Sequence, residues 1–222
     1  MHHSIININK IKDKIQSEIS KTPSLIVFPK IIAVSKSFAS QDILPLIKYN
    51  HQDFGENKVQ EAISKWSEIK NKNPDIKLHL IGKLQSNKVK LALKIFDYIH
   101  SLDNEKLAKK ISEEQLKYEI KPKIFIQVNI ANEPQKSGIE EKNLEKFFNY
   151  CLSINLNIIG TMCIPPINED PEKYFIRMNI LNKKLKLKEL SIGMSSDYIS
   201  ALKNKSTFLR IGTSIFGERK TK

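Results

Sequence analysis

The chain contains little cysteine, glycine and arginine, and these shortages narrow its class. Its 222 residues include 2 cysteines and 7 glycines. Cys151 and Cys163 provide neither a disulfide framework nor the spacing of a metal site, so both are expected to be reduced and buried. No apolar run approaches the roughly 18 residues of a membrane span, and the first residues lack the layout of a signal peptide. We therefore expect a cytoplasmic protein without a membrane partner.

The net charge of +13 raises the question of nucleic-acid binding. Only three basic residues are arginines, Arg177, Arg210 and Arg219, and the many lysines are mixed with acidic residues. No base-reading motif or aromatic stripe accompanies the charge, so we expect no specific nucleic-acid partner. An RNA-binding function rests on charge alone, and its binding would fade steeply with added salt.

Strand-like and helical segments alternate along a chain long enough for one domain, residues 1–222, with its own core. After an amphipathic segment at 5–20, eight runs have strand character: 31–34, 53–54, 78–81, 98–101, 124–130, 158–162, 190–192 and 208–211. Helical patterns follow them at 41–49, 56–70, 87–94, 104–117, 140–153, 171–186 and 196–204. This alternation favours an α/β fold with a single closed (β/α)8 TIM barrel. A doubly wound open sheet is the alternative, but no Gly-x-Gly-x-x-Gly follows the first strand.

Lys36 lies at the exit of the first predicted strand. The preceding run, residues 31–35, is rich in β-branched residues and contains no breaker. An amine held against an apolar wall has a lowered pKa, which frees its lone pair to condense with an aldehyde. The alternative is an ordinary surface lysine in a chain with 37 lysines and arginines. The residues at later strand ends favour the first interpretation.

The last two predicted strands are followed by groups that suit a phosphate. Ser195 and Ser196 come after the seventh strand, where they could donate to a phosphate or cap a helix. Gly212 and Thr213 follow the eighth strand and offer backbone N–H groups and a hydroxyl. A phosphate site after strands seven and eight recurs in TIM barrels, so a cradle at this end of the barrel is predicted.

Other polar residues near strand ends have two interpretations each. Asn57 follows the second strand and either hydrogen-bonds a ligand or caps a helix. Arg210 lies within the eighth strand, where a charge must be paired or must contact a ligand. His51, His79 and His100 also lie near strand starts or ends, but no acidic partner has ligand-like spacing, so no metal site is predicted.

Taken together, the strand-end segments resemble the pyridoxal 5′-phosphate homeostasis proteins of the YggS/PROSC type. The resemblance extends from about residue 30 to residue 219. Each motif alone is weak, but together, in the order found in the family, they are highly specific. The matching segments are Ala33-Val34-Ser35-Lys36, Phe54-Gly55-Glu56-Asn57 with Gln60-Glu61, residues 79–88, Gln127-Val128-Asn129-Ile130 with residues 136–139, Gly193-Met194-Ser195-Ser196-Asp197, and Arg210-Ile211-Gly212-Thr213 with Phe216-Gly217-Glu218-Arg219.

The resemblance implies a barrel like the N-terminal domain of alanine racemases, with pyridoxal 5′-phosphate (PLP) as cofactor. It implies that Lys36 holds the cofactor as an imine, that Arg210 faces the pyridine nitrogen, and that three residues bind the phosphate. The expected cofactor contacts are Lys36, Asn57, Ser195, Arg210, Gly212 and Thr213.

The expected function is to hold PLP and maintain intracellular vitamin B6 and amino-acid homeostasis without robust catalysis. An arginine at the ring nitrogen keeps that nitrogen unprotonated and weakens the electron sink that carbanion chemistry needs. Racemisation also requires a second acid/base group, which alanine racemases take from a second domain, whereas this chain ends shortly after the eighth strand. A PLP-dependent amino-acid racemase or another weak PLP enzyme is the alternative. PLP-dependent apo-enzymes are the expected recipients, and the protein is expected to be a monomer.

Overall fold

Parallel strands close a barrel in the computed structural model, which describes residues 1–23, 25 and 27–218. The barrel strands are β1 (Lys30–Val34), β2 (Asp53–Glu56), β3 (Lys77–Leu80), β4 (Tyr98–Leu102), β5 (Lys123–Asn129), β7 (Ile158–Met162), β8 (Glu189–Ser191) and β9 (Phe208–Ile211). Each pairs in parallel with its neighbours, and β9 pairs with β1 to complete the circle. A short strand, β6 (Ile139–Glu140), adds to the end of β5. The predicted eight-stranded TIM barrel is therefore confirmed.

Helices connect the strands and surround the barrel. They are α1 (His3–Lys21), α2 (Ser40–Lys48), α3 (Val59–Lys72), α4 (Val89–Leu93), α5 (Glu105–Tyr118), α6 (Leu144–Ser153), α7 (Glu172–Lys184), α8 (Tyr198–Lys203) and α9 (Thr213–Phe216), with 3₁₀ turns at Ser86–Lys88 and Glu141–Asn143. In the described part of the chain, no helix combines the length and apolar character needed to cross a membrane.

Three expectations about helix starts need correction. The helix predicted from Glu56 begins at Val59, because Glu56 still pairs with Leu80 as part of β2. The N-cap of α3 is therefore Lys58, and Asn57 does not cap that helix. In the same way, Asp197 is the N-cap of α8, so the capping interpretation of Ser195 and Ser196 is wrong as well.

The strands separate a large outer core from a small inner one. The outer core fills the space between strands and helices. The inner core is made by buried side chains that point into the barrel: Ile32, Val34, Tyr98, Phe125, Met162 and Phe208. Because side chains alternate across a strand, the same inward face also carries His79, His100 and Arg210, all of which are buried. The barrel interior is thus partly polar.

Both cysteines are free and buried, as expected. Burial raises the pKa of each thiol to about 12. Because the thiolate is the reactive form, a thiol with this pKa is inert at neutral pH. Cys163 is therefore a core residue, and its relevance to the site lies in its backbone carbonyl.

Candidate functional site

A cavity of about 620 Å³ opens among the strand-to-helix loops at the carboxyl ends of the strands. All six of the predicted contacts line it: Lys36, Asn57, Ser195, Arg210, Gly212 and Thr213. They come from the first, second, seventh and eighth barrel strands and the loops that follow them. The carboxyl ends of parallel strands meet at one face of a barrel, which is why residues as distant in sequence as Lys36 and Arg210 share one wall.

The lining of the cavity is strongly cationic. Lys36, Lys83, Lys136 and Arg210 contribute to it, and no carboxylate does so among the described residues. Lys83 and Lys136 come from loops, where no strand or helix pattern could reveal them. Lys136 is also paired with Glu133 at 2.6 Å. Like charges around a partly enclosed cavity attract an anion, so the electrostatics suit a ligand with several negative charges.

Ser195 marks a point where hydrogen-bond donors converge. Its Oγ accepts from the backbone N–H of Gly212 and from that of Ser214, both at 3.3 Å. Thr213 lies between these two residues and lines the cavity. Two backbone N–H groups and the Ser195 hydroxyl thus meet at one corner, next to Thr213, and such a cluster of donors suits a phosphate group.

The guanidinium of Arg210 is fixed in place at the cavity wall. Its Nη1 donates to the carbonyl of Ser191 at 2.6 Å and to the Oγ of Ser191 at 2.7 Å. Its Nη2 donates to the carbonyl of Cys163 at 2.8 Å. Burial lowers the pKa of Arg210, and the nearby Cys163 and Asp197 oppose that shift. An arginine remains charged in proteins, so the cavity has a rigid cation that can only donate.

The loop that carries Lys36 is anchored on both sides of this residue. Before it, the carbonyl of Ser35 accepts from Lys65 Nζ at 3.0 Å. After it, the N–H of Ser37 donates to Glu61 Oε1 at 2.9 Å. Ser37 has φ of 66°, a left-handed conformation that costs a non-glycine residue energy and persists only where neighbours enforce it. The backbone of Lys36 is therefore held in one orientation by α3.

The fully buried carboxylate of Glu56 stands at the centre of this anchoring. Its Oε1 accepts from Ser35 Oγ at 2.8 Å, Lys65 Nζ at 2.9 Å and Trp66 Nε1 at 3.0 Å. We call the residues that hold the Lys36 loop the Lys36 clamp: Ser35, Ser37, Glu56, Glu61, Lys65 and Trp66. The sequence does not predict the contacts between the Lys36 clamp and α3. The helical pattern that begins at Glu56 places this residue in the helix, whereas in the structure it ends β2.

Asn57 owes its position to a close backbone approach at Gly82. A Cβ at Gly82 would lie 2.4 Å from the backbone oxygen of Asn57. A side chain at this position would displace the Asn57 backbone from the cavity wall, so glycine is required for the contact.

The histidines form a hydrogen-bonded pair, with no metal cluster among the described residues. The rings of His79 and His100 meet at 3.0 Å, His79 also bonds Asp53, and His100 bonds Ser191. His51 instead bonds the carbonyl of Asp53. The sequence places these three histidines near strand starts or ends, but it does not reveal their partners. The motif residue Arg219 lies outside the described residues.

The chain matches a known protein family over nearly its whole length. A family model described as alanine racemase, N-terminal domain, matches residues 6–220. A curated relative from Aquifex aeolicus, named pyridoxal phosphate homeostasis protein, is 37% identical over 201 residues, which cover 86% of this chain and 87% of the relative. A relative of the same name from Escherichia coli K12 is 32% identical over 228 residues, with coverage of 96% and 95%.

Several solved structures have a similar fold. PipY of Synechococcus elongatus PCC7942, a COG0325 family member, has a TM-score of 0.81 and 32% identity in a structure without PLP, covering 91% of this chain and 100% of that one. A second PipY structure, with PLP bound, has a TM-score of 0.79 at the same identity and coverage. Alanine racemase of Clostridium difficile 630 has a TM-score of 0.68 at 14% identity, covering 94% of this chain and 58% of the racemase. This last similarity concerns the fold alone.

Proposed function

We propose that this chain, which belongs to the family of pyridoxal phosphate homeostasis proteins with an alanine racemase N-terminal domain, binds PLP in the cavity and holds it without robust turnover. The observation that carries the proposal is that Lys36, Arg210 and the group formed by Ser195, Gly212 and Thr213 all line one cationic cavity. Residues 1–222 then act as one cofactor-binding domain. The relative PipY, whose structure contains PLP, supports this assignment.

The residues around the cavity suit the parts of the cofactor. When bound, PLP supplies an aldehyde that condenses with primary amines and an aromatic ring that withdraws electrons. Lys36 provides the amine for covalent attachment, and Ser195, Gly212 and Thr213 provide donors for the phosphate. Arg210 would face the ring nitrogen, and Asn57 would add a further polar contact.

The properties of Arg210 support a holding function over an enzymatic one. Its guanidinium already donates to two carbonyls and a hydroxyl, and it cannot accept a hydrogen bond. A permanent cation at the ring nitrogen would leave that nitrogen unprotonated and so weaken carbanion stabilisation. The physiological role is then homeostasis of vitamin B6 and amino acids, with PLP-dependent apo-enzymes as recipients.

The proposal is tested by titrating the protein with PLP and then offering amino acids in deuterium oxide. We expect a visible absorbance band that saturates with one cofactor per chain, and exchange of the amino-acid α-proton far below the 1–10³ s⁻¹ range of typical enzymes. Transfer of the cofactor to a PLP-dependent apo-enzyme should follow on mixing. Absence of saturable binding contradicts the cofactor assignment, and exchange near one turnover per second would favour a racemase or another PLP enzyme.

Removing the two hydroxyls at the phosphate corner should weaken binding. In the double variant Ser195→Ala/Thr213→Ala, we expect the Kd for PLP to rise at least tenfold, because each hydrogen bond to a charged group contributes about 1.5–3 kcal/mol. The measurement is a fluorescence titration. Ser137→Ala, which changes another residue of the lining, is the matched control and should bind like the wild type. Equal Kd values for the double variant and the control would mean that the phosphate binds elsewhere.

A further inference from the structure

A line of buried polar side chains crosses the barrel interior and ends at Arg210. Asp53 Oδ1 meets His79 Nε2 at 3.0 Å, His79 Nδ1 meets His100 Nε2 at 3.0 Å, and His100 Nδ1 meets Ser191 Oγ at 2.9 Å. Ser191 Oγ in turn accepts from Arg210 Nη1 at 2.7 Å. Both histidines and Ser191 are fully buried, whereas the Asp53 side chain retains 14% exposure at the amino-terminal end of β2.

We propose that Asp53, His79, His100 and Ser191 form a directional relay that positions Arg210 at the cavity. We call these four side chains, together with Arg210, the barrel relay. Its effect on the cofactor rests on the proposed function, but the relay itself does not.

The donor and acceptor roles in the barrel relay can be derived from Arg210 at one end or from Asp53 at the other. A guanidinium only donates, so Ser191 Oγ accepts from Arg210 and its own proton goes to His100 Nδ1. His100 must then carry its proton on Nε2 and donate to His79 Nδ1. His79 likewise carries its proton on Nε2 and donates to Asp53, whose carboxylate only accepts. The arginine and the carboxylate therefore require the same tautomer of both histidines.

The electrostatics of the three titratable groups agree with this direction. Burial lowers the pKa of His79 despite the opposing effect of Asp53, and burial, His79 and Arg210 lower that of His100 well below its usual value. Burial would raise the pKa of Asp53, but the hydrogen bond from His79 and positive charges nearby, Lys30 among them, together outweigh it, so its pKa is lowered. Two neutral imidazoles beside an ionised carboxylate are the states that the relay needs.

Packing fixes the rings so that their nitrogens stay aligned. His79 stacks on Tyr98 with ring centroids 4.2 Å apart, and His100 stacks on Phe125 at 4.3 Å. Apolar residues could fill the same space without the cost of burying polar groups. The polar side chains instead give Ser191 a fixed hydroxyl orientation, which presents its lone pairs to Arg210.

The relay is tested first without any cofactor, by nitrogen NMR of the apo-protein labelled with ¹⁵N-histidine. We expect neutral His79 and His100 with the proton on Nε2 at neutral pH, assigned with His79→Gln and His100→Gln. A proton on Nδ1 of either ring, or an imidazolium, would overturn the relay. This outcome stands even if the chain never binds PLP, which would contradict the proposed function alone.

The effect of the barrel relay on bound PLP is tested with variants of His100 in the PLP-loaded protein. His100→Phe keeps an aromatic ring but removes both hydrogen bonds, so we expect a shifted absorbance band and an affinity at least about tenfold lower. His100→Gln offers an amide NH₂ group as donor and a carbonyl as acceptor. It should therefore restore most of the wild-type affinity and bring the absorbance band back towards its wild-type position. Phe147→Leu changes a buried aromatic residue of α6 outside the barrel relay, so its band should match the wild type. Wild-type band and affinity in folded His100→Phe would overturn the inference.

A double-mutant cycle distinguishes positioning from general destabilisation. In an Arg210→Leu background, His100→Phe should cause little further loss of affinity, because its effect passes through Arg210. Full additivity of the two losses would show that His100 acts on the cavity by another route and would overturn the relay. If His100→Phe does not fold, the tautomers and the His100→Gln band decide the matter.

Discussion

Replacing Lys36 with alanine should abolish covalent attachment of PLP. Among the residues that line the cavity, Lys36 is the lysine that directly follows β1 and is anchored by α3. In the wild type, borohydride should fix the cofactor to the peptide that contains Lys36, with the corresponding increase in mass. In Lys36→Ala, we expect no fixed cofactor at any PLP concentration that saturates the wild type.

The other two lysines of the cavity provide matched controls for this result. Lys83→Ala and Lys136→Ala each remove one positive charge from the lining and should retain borohydride labelling at Lys36. Both should bind PLP more weakly, since the local attraction for an anion falls. A label found on Lys83 or Lys136 in the wild type would assign the attachment to a different wall of the cavity.

Much of the site could be predicted because it depends on strand ends rather than on side-chain packing. Lys36, Asn57, Ser195 and Gly212 each follow a strand directly or within a few residues, so recognising eight strands was enough to bring them to one face. Arg210 required one further inference, that a charge within a strand must be paired or must contact a ligand. Its partners turned out to be two carbonyls and a serine, which no sequence pattern reveals.

The part that could not be predicted consists of contacts between elements. Glutamate favours helices over strands, and Glu56 stands close to a strong helical pattern, so local propensity placed it in α3. Tertiary context overrides that preference, because Glu56 pairs with β3 and its carboxylate receives three donors. The histidines posed a different difficulty. Their inward direction follows from alternation, but the register that brings His79 beside His100 appears only in the assembled sheet.

Replacing Glu56 with leucine should destabilise the folded protein strongly. The change removes the acceptor shared by Ser35, Lys65 and Trp66. The Lys65 side chain, only 9% exposed, then keeps only the longer of its two carboxylate contacts, with Glu61 at 3.3 Å. Breaking a buried ion pair costs about 3–5 kcal/mol, which is a large fraction of the roughly 5–15 kcal/mol that typically stabilises a domain. Urea unfolding should show a lower midpoint with an unchanged m-value.

An exposed ion pair on the same helix provides the control for Glu56→Leu. Glu68 and Lys72 are paired four residues apart on α3, with 81% and 71% of their side chains exposed. Glu68→Leu should therefore hardly change the unfolding midpoint, because solvent screens such pairs. A second variant, Glu56→Leu/Lys65→Met, removes both buried charges and should recover a large part of the loss. If Glu56→Leu unfolds at the same midpoint as Glu68→Leu, the Lys36 clamp does not stabilise the barrel. If only the double variant regains stability and yet labels poorly with PLP, the buried charges serve chiefly to orient the Lys36 loop.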